Sequence, residues 1–299
     1  MASNPVPPGT TTAATASPPV SNMSAYQMVQ ELSPFVKFAH FAANQAILEA
    51  AGGDLEVHIV DFDVMDGIQW PPLMVDLLAS RNGAASLRIT AVVALEANAE
   101  TARRTGRRLA EFAGSIGLAL RFDQVEAKDL EWLQVCKGSV VANCMLQESR
   151  TPSKSSAQVK DFLNKARKLS PKLVVVVEEE LFSSRRASAM APPPSSFVEF
   201  FCDALHHFSS VSDSLGCSFY GAYRVGLRLV EEEMLGPRII DCVGCFPFGP
   251  LIMDGFRLAP LSSCNVSQVK FLLGLFNMGF GLQTENGRLA LCWKSRPLI

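Results

Sequence analysis

Residues 57–72, Val-His-Ile-Val-Asp-Phe-Asp-Val-Met-Asp-Gly-Ile-Gln-Trp-Pro-Pro, constrain the chain more than any other stretch. Val57, Ile59, Val60 and Phe62 form a short, nearly unbroken apolar run, which suits a strand buried on both faces of a parallel sheet. Asp61 and Asp63 bring charge where that strand should end, and Asp66 and Gly67 turn the chain. Trp70, Leu73, Met74, Leu77 and Leu78 then recur at helical spacing. Strand, acidic turn with glycine, then helix is the opening unit of a doubly wound α/β domain. Ligands of such domains sit beyond the carboxyl ends of the strands, so Asp61, Asp63 and Gly67 should face that crevice. The turn approaches a dinucleotide or S-adenosylmethionine motif but has one glycine where several are needed for close backbone approach. Bulky Val64, Met65, Ile68 and Trp70 surround Gly67. The expectation is a crevice filled by side chains, with no cofactor.

The rest of the chain supports one large α/β domain. Its 299 residues are 48% hydrophobic and 19% charged, enough for a sizeable core. A net charge of −2 speaks against a strongly basic surface, although not against a local basic patch. No apolar run approaches the ~18 residues of a membrane span, and no signal peptide opens the chain, so a soluble, intracellular protein is expected. The eight cysteines are scattered. Cys242 and Cys245 form a lone Cys-x-x-Cys without a second pair, so no metal site is expected.

Residues 1–22 are Pro, Thr, Ala and Ser-rich and are expected to be a disordered tail. Residues 26–51 read as a helix, with Ser33 as its cap and Pro34 at the first helical position. Phe35, Phe38, Ala39, Ala42, Ala46 and Ile47 share a stripe, while Phe41, Ala43 and Leu48 lie off it. Two readings fit: a helix buried in the domain, or one that also meets a partner chain through Phe38, Phe41, Asn44, Ile47 and Leu48. Residues 87–95 read as a second strand. Glu96 follows, where an acidic group either holds ribose hydroxyls or opens the next helix. That helix, residues 97–116, clusters Arg103, Arg104, Arg107 and Arg108 within two turns. The cluster is either a solvated face paired with Glu100 and Glu111 or a contact for DNA or an acidic partner.

Further strands are expected at 118–122, 139–145 and 173–177, the last as a second central strand. Glu178, Glu179 and Glu180 follow it, as a polar lip or as an acid/base or metal cluster. A helix with one wide apolar face covers 197–208, with His206 and His207 at its end. Another covers 223–235, ending in Glu231, Glu232 and Glu233, and residues 242–260 read as irregular. An amphipathic helix spans 266–278. Residues 280–283 and 289–293 form a hairpin through Asn286-Gly287. An antiparallel pair appended to five parallel strands is a methyltransferase outline. An S-adenosylmethionine-dependent methyltransferase, or a small-ligand module, is therefore the alternative function, with Asp61, Asp63, Gly67 and Glu96 around the ligand.

Several segments carry a resemblance. Val57-His58-Ile59-Val60-Asp61, continued by Gly67-Ile68-Gln69-Trp70-Pro71, matches the Val-His-Ile-Ile-Asp signature of the GRAS family of plant transcriptional regulators. Residues 41–47, 87–90, 197–215 and 291–298 match further segments of that family, and the chain looks most like its nodulation-signalling-pathway branch. The resemblance implies a Rossmann-like, methyltransferase-like α/β core over residues 54–299 with a helical cap reduced to 23–53. It also implies nuclear localisation and no enzymatic activity. The implied partners are other GRAS proteins or transcription factors, and promoter DNA directly or through a partner. Three departures stand out: little of the first leucine-rich region precedes Tyr26, the 236–262 segment is short, and the terminal Ser-Ala-Trp is not reached. A reduced cap and pairing surface is the expectation that follows.

Overall fold

The computed structural model describes residues 23–80, 86–93, 98–135, 137–146, 156–182, 194, 196–244, 246, 255–276, 279–285 and 287–299. The proposed tail, residues 1–22, lies outside them.

Two helices form the start of the cap. α1 (Ala25–Leu32) opens with a capping box: Gln27 donates its backbone N–H to Ser24 Oγ, and Ser24 N–H donates to Gln27 Oε1. α2 (Phe35–Ala51) follows. The single helix expected from the sequence is thus two. Ser33 closes α1 rather than opening α2: its hydroxyl donates to Val29 O at 2.8 Å, and its backbone is extended. Pro34 is the reason, because its ring clashes with a helical conformation in the residue before it. α2 is buried on several sides, against α1 and against elements described below.

The core is a parallel sheet. β1 (Glu56–Phe62), α3 (Trp70–Ser80), β2 (Ser86–Val93), α4 (Ala99–Ser115), β3 (Ala119–Glu126), β4 (Ser139–Met145), α5 (Ser156–Lys168) and β5 (Leu173–Val177) alternate, and the strand order is β3-β2-β1-β4-β5. This is the doubly wound order, with its reversal between β1 and β4. Residues alternate between the faces. Val57 and Ile59 join Ile47, Trp70, Leu77 and Leu109 in one layer. Val60 and Phe62 join Val92, Ala142 and Phe162 in the other, where Phe62 stacks on Phe162 at 4.6 Å. β5 is an edge strand, half-buried throughout, and not the central strand expected from its four valines.

The C-terminal third packs largely against α1, α2 and the segment after β5. α6 (Phe197–Ser218) is 22 residues long, so His206 and His207 fall near its middle rather than at its end. α7 (Arg224–Val230), a π turn (Glu231–Leu235) and α8 (Gly236–Gly244) run on without a break. Gly236-Pro237 reads as a helix breaker in sequence. Here the Gly236 N–H reaches back to Glu231 O, and the widened turn admits a proline with no N–H of its own. Residues 236–244 are therefore helical, and the glutamates lie mid-run. After α9 (Ser263–Leu273), β6 (Phe280–Glu285), β7 (Arg288–Trp293) and β8 (Arg296–Pro297) form a separate antiparallel sheet. The hairpin is present, with Glu285 opposite Arg288 and Gly287 at φ 76°, but it is not a continuation of the parallel sheet. Trp293 anchors it: the ring packs on Phe280, and the indole N–H donates to Asp213 at 2.6 Å. Hydrogen bonds from Lys294 and Trp293 hold the Asp213 carboxyl below its ordinary range.

One buried group makes stability depend on pH. His58 in β1 is 0% exposed; Nε2 lies 2.9 Å from Thr90 Oγ1, and Nδ1 has no hydrogen-bond partner. Burial, reinforced by Arg88, pushes its pKa from 6.5 to about 4. The folded state therefore binds the proton less well than the unfolded chain. Stability is complete above pH 6.5 and is lost as pH falls towards 4, by about 3 kcal/mol in all. Urea titrations at pH 7.5 and 4.5 should show this fall for the natural chain and a clearly smaller one for His58→Gln. Equal falls in the two would contradict the assignment.

Candidate functional site

The site expected from the sequence lies beyond β1, at the point where strand order reverses. The turn there is unusual: Asp63, Met65 and Gly67 all have positive φ, at 71°, 46° and 65°. Left-handed backbone is costly for residues with a Cβ, so neighbours must hold it. The Asp63 N–H donates to Val92 O, and Asn98 Nδ2 donates to both Asp63 carboxylate oxygens at 3.2 and 3.3 Å. Thr105 Oγ1 donates to Met65 O at 2.6 Å, and Arg108 Nη2 donates to Asp66 O at 2.9 Å. The turn is therefore fastened to β2 and α4. Gly67 is glycine for the same reason, since a Cβ there would stand 2.5 Å from Thr105 Cγ2.

Asp61 points into the crevice, but its oxygens are taken. Trp70 Nε1 donates to Oδ2 at 3.0 Å, and Asn143 Nδ2 donates to Oδ1 at 2.9 Å. Asn143 Nδ2 also donates to Gln69 Oε1, and Gln69 Nε2 donates to Asn44 Oδ1 at 3.2 Å. Asn44 Nδ2 donates in turn to Gln69 O at 2.9 Å. Asp61, Trp70, Asn143, Gln69 and Asn44 thus form one buried network drawn from β1, the turn before α3, α3 itself, β4 and α2. They lie towards the carboxyl ends of β1 and β4, where the strand order reverses and ligands of doubly wound domains sit. Trp70 and Val64 are buried there, as the sequence suggested, whereas Met65 and Ile68 are only half-buried. Asn143 was missed; its signal is a lone amide inside the apolar run of residues 139–145.

The other candidate residues separate. Of the five proposed partner contacts on α2, Phe38, Asn44 and Ile47 are buried within this chain, and Leu48 packs against the core. Only Phe41, at 42%, is exposed. α2 meets α3, α9, β4 and β5, which is why its apolar surface is consumed internally. The four arginines of α4 are all exposed. Arg103 pairs with Glu100 at 2.7 Å, Arg107 lies 3.8 Å from the same carboxylate, and Arg108 is held by Asp66. Arg104 makes no hydrogen bond or ion pair among the described residues. Glu96 lies outside those residues, as does Cys245.

Two of the three glutamates after β5 are ion-paired. Glu180 accepts from Arg288 at 3.0 Å, and Glu179 accepts from Arg238 Nε, with His207 Nε2 3.8 Å away. Buried Cys292 is a poor nucleophile, its thiol pushed up to about 11 by burial. Among the described residues there is no cluster of three metal-ligating side chains, and no helix is long and apolar enough to cross a membrane.

Comparison with known proteins agrees with the fold. The GRAS domain family profile matches residues 2–299. The chain is 39% identical to Protein NODULATION SIGNALING PATHWAY 2 of Medicago truncatula and 38% identical to its namesake in Lotus japonicus. Each alignment covers 93% of this chain and 57% or 58% of the relative, so the chain spans little more than half their length. Protein SCARECROW of Pisum sativum is 36% identical over 92% of this chain and 34% of its own. A Rossmann-like parallel sheet, a signature segment in β1 that closes on Asp61 and a family match over nearly every residue lead to one conclusion: the chain belongs to the GRAS domain family.

Proposed function

We propose that this chain is a noncatalytic regulator of transcription that acts in the nucleus by assembling with other regulators, other GRAS proteins among them. The observation that best supports this reading is the buried network of Asp61, Trp70, Asn143, Gln69 and Asn44, which takes up side chains near the carboxyl ends of β1 and β4, where ligands of such folds sit. A fold of this kind then works through its exterior. The relatives named for a signalling pathway and for SCARECROW point to the same class.

The exterior contact with the clearest chemistry is the arginine face of α4. Arg104 has no partner among the described residues and stands beside Arg103, Arg107 and Arg108. It is the group whose charge is most available to DNA phosphate or to an acidic protein segment. On α2 the partner contact reduces to Phe41.

Charge reversal tests this assignment. Arg104→Glu should weaken promoter or partner binding about tenfold at moderate salt and shift stability by no more than about 0.5 kcal/mol. Adding Arg108→Glu should weaken binding further, with a small extra stability cost from the lost tie to Asp66 O. A gel shift and a pull-down with a GRAS partner are the measurements. Binding unchanged in both would remove α4 from the contact surface.

A further inference from the structure

A cavity of about 550 Å³ lies away from the filled crevice, between α1 and the start of α2 on one side and α6, α7, the π turn and α8 on the other. Leu298 and Ile299 line it as well. Its volume falls in the range of sites for small organic ligands. Val36, Leu215, Val230 and Leu298 are buried apolar walls. Deep in the lining sits Glu179, accepting from Arg238 Nε, with the buried His207 ring beside it.

Four exposed lining residues, Ser24, Glu233, Pro237 and Asp241, mark the mouth, and the two charged ones are acidic. Glu233 and Asp241 are exposed and make no hydrogen bond or ion pair among the described residues. The charged side chains of the lining are therefore three carboxylates, Glu179, Glu233 and Asp241, against the single guanidinium of Arg238. Arg238 hydrogen-bonds Glu179 and also feels the charge of Asp241, so one guanidinium is shared by two of the three carboxylates and Glu233 has no cation among the described residues.

We propose that this cavity binds an amphipathic cation: a hydrocarbon chain or ring system seated among the apolar walls, with an ammonium group at the mouth held by Glu233 and Asp241. Apolar burial supplies most of the affinity, and the carboxylates decide the sign of the charge that is accepted. A carboxylate-headed molecule of the same shape meets like charge there and is disfavoured. The site is separate from the α4 arginine face, so the proposal stands or falls independently of the DNA or partner contact.

The test uses the 299-residue chain and three probes of one chain length: dodecylamine, dodecanol and dodecanoate, each below its micelle-forming concentration. Calorimetry and thermal melting should show the amine binding about five- to tenfold tighter than the acid, with the alcohol between them. The exposed double variant Glu233→Gln/Asp241→Asn should fold normally and bind amine and acid about equally. Val211→Trp, which places an indole in the cavity, should abolish binding of all three probes. Acid binding as tight as amine binding in the natural chain overturns the proposal. So does an amine preference that survives the double variant, or a natural chain that binds none of the three. Where Val211→Trp folds, unchanged binding to it places the probes elsewhere and also overturns the proposal.

Discussion

Trp70→Ala is expected to remove about 5 kcal/mol of stability, a loss comparable to the whole folding free energy of many domains. Trp70 is 1% exposed and sits at the junction of β1, α3 and the crevice. Deleting the indole leaves a cavity worth about 3–5 kcal/mol and strands the Asp61 oxygen that it serves at 3.0 Å. Trp70→Phe keeps most of the ring and loses only the N–H, so about 1–2 kcal/mol is expected. Urea unfolding of the two variants checks the order and the gap between them. If Trp70 formed the lip of an open ligand site, the alanine variant would melt within a few degrees of the natural chain.

Gly67→Ala is expected to cost about 3 kcal/mol, for two separable reasons. The positive φ of 65° penalises any Cβ by about 1–2 kcal/mol. The new methyl also meets Thr105 Cγ2 at 2.5 Å and Leu109 Cδ1 at 3.2 Å, which forces α4 away from the turn. Thr105→Ser removes the nearer methyl and keeps the hydroxyl that donates to Met65 O. The double variant should therefore recover about 1 kcal/mol relative to the sum of the single changes. A glycine kept for cofactor approach would show no such coupling, because the second site would lie outside the affected contact.

Those two residues also show what could be read before the structure. The single glycine among Val64, Met65, Ile68 and Trp70 suggested a turn filled by side chains; Val64 and Trp70 are buried there, and Met65 and Ile68 only half-buried. The strand runs were legible for a similar reason: residues 57–62, 139–145 and 173–177 leave no polar face, as parallel strands with helices on both sides require. Their lateral order was less accessible. β5 carries the most uninterrupted valines and still sits at the edge, since apolarity reports coverage of the faces and not hydrogen-bonded neighbours on both sides.

The misreadings have local physical causes. Phe197, Phe200, Phe201, Ala204, Leu205 and Phe208 look like one wide apolar face, yet only Phe200, Ala204 and Phe208 are buried. Helical spacing cannot say which part of a broad stripe another element will cover. Phe38, Asn44 and Ile47 fitted both a buried and a partner-facing reading of α2, because the elements that bury them, α3, α9 and β4, follow α2 in the chain. The pairing of His207 with Glu179 was invisible because it joins a mid-helix position on α6 to the end of β5. Glu178–Glu180 accordingly read as a histidine-free lip.

The most direct test of the account is a calorimetric titration of the 299-residue chain with S-adenosylmethionine and its demethylated product. Asp61 already accepts from Trp70 and Asn143, so the account predicts no saturable heat from either compound up to millimolar concentration. Micromolar binding of either one, abolished by Asp61→Ala, would show that the crevice opens to a cofactor and would contradict it.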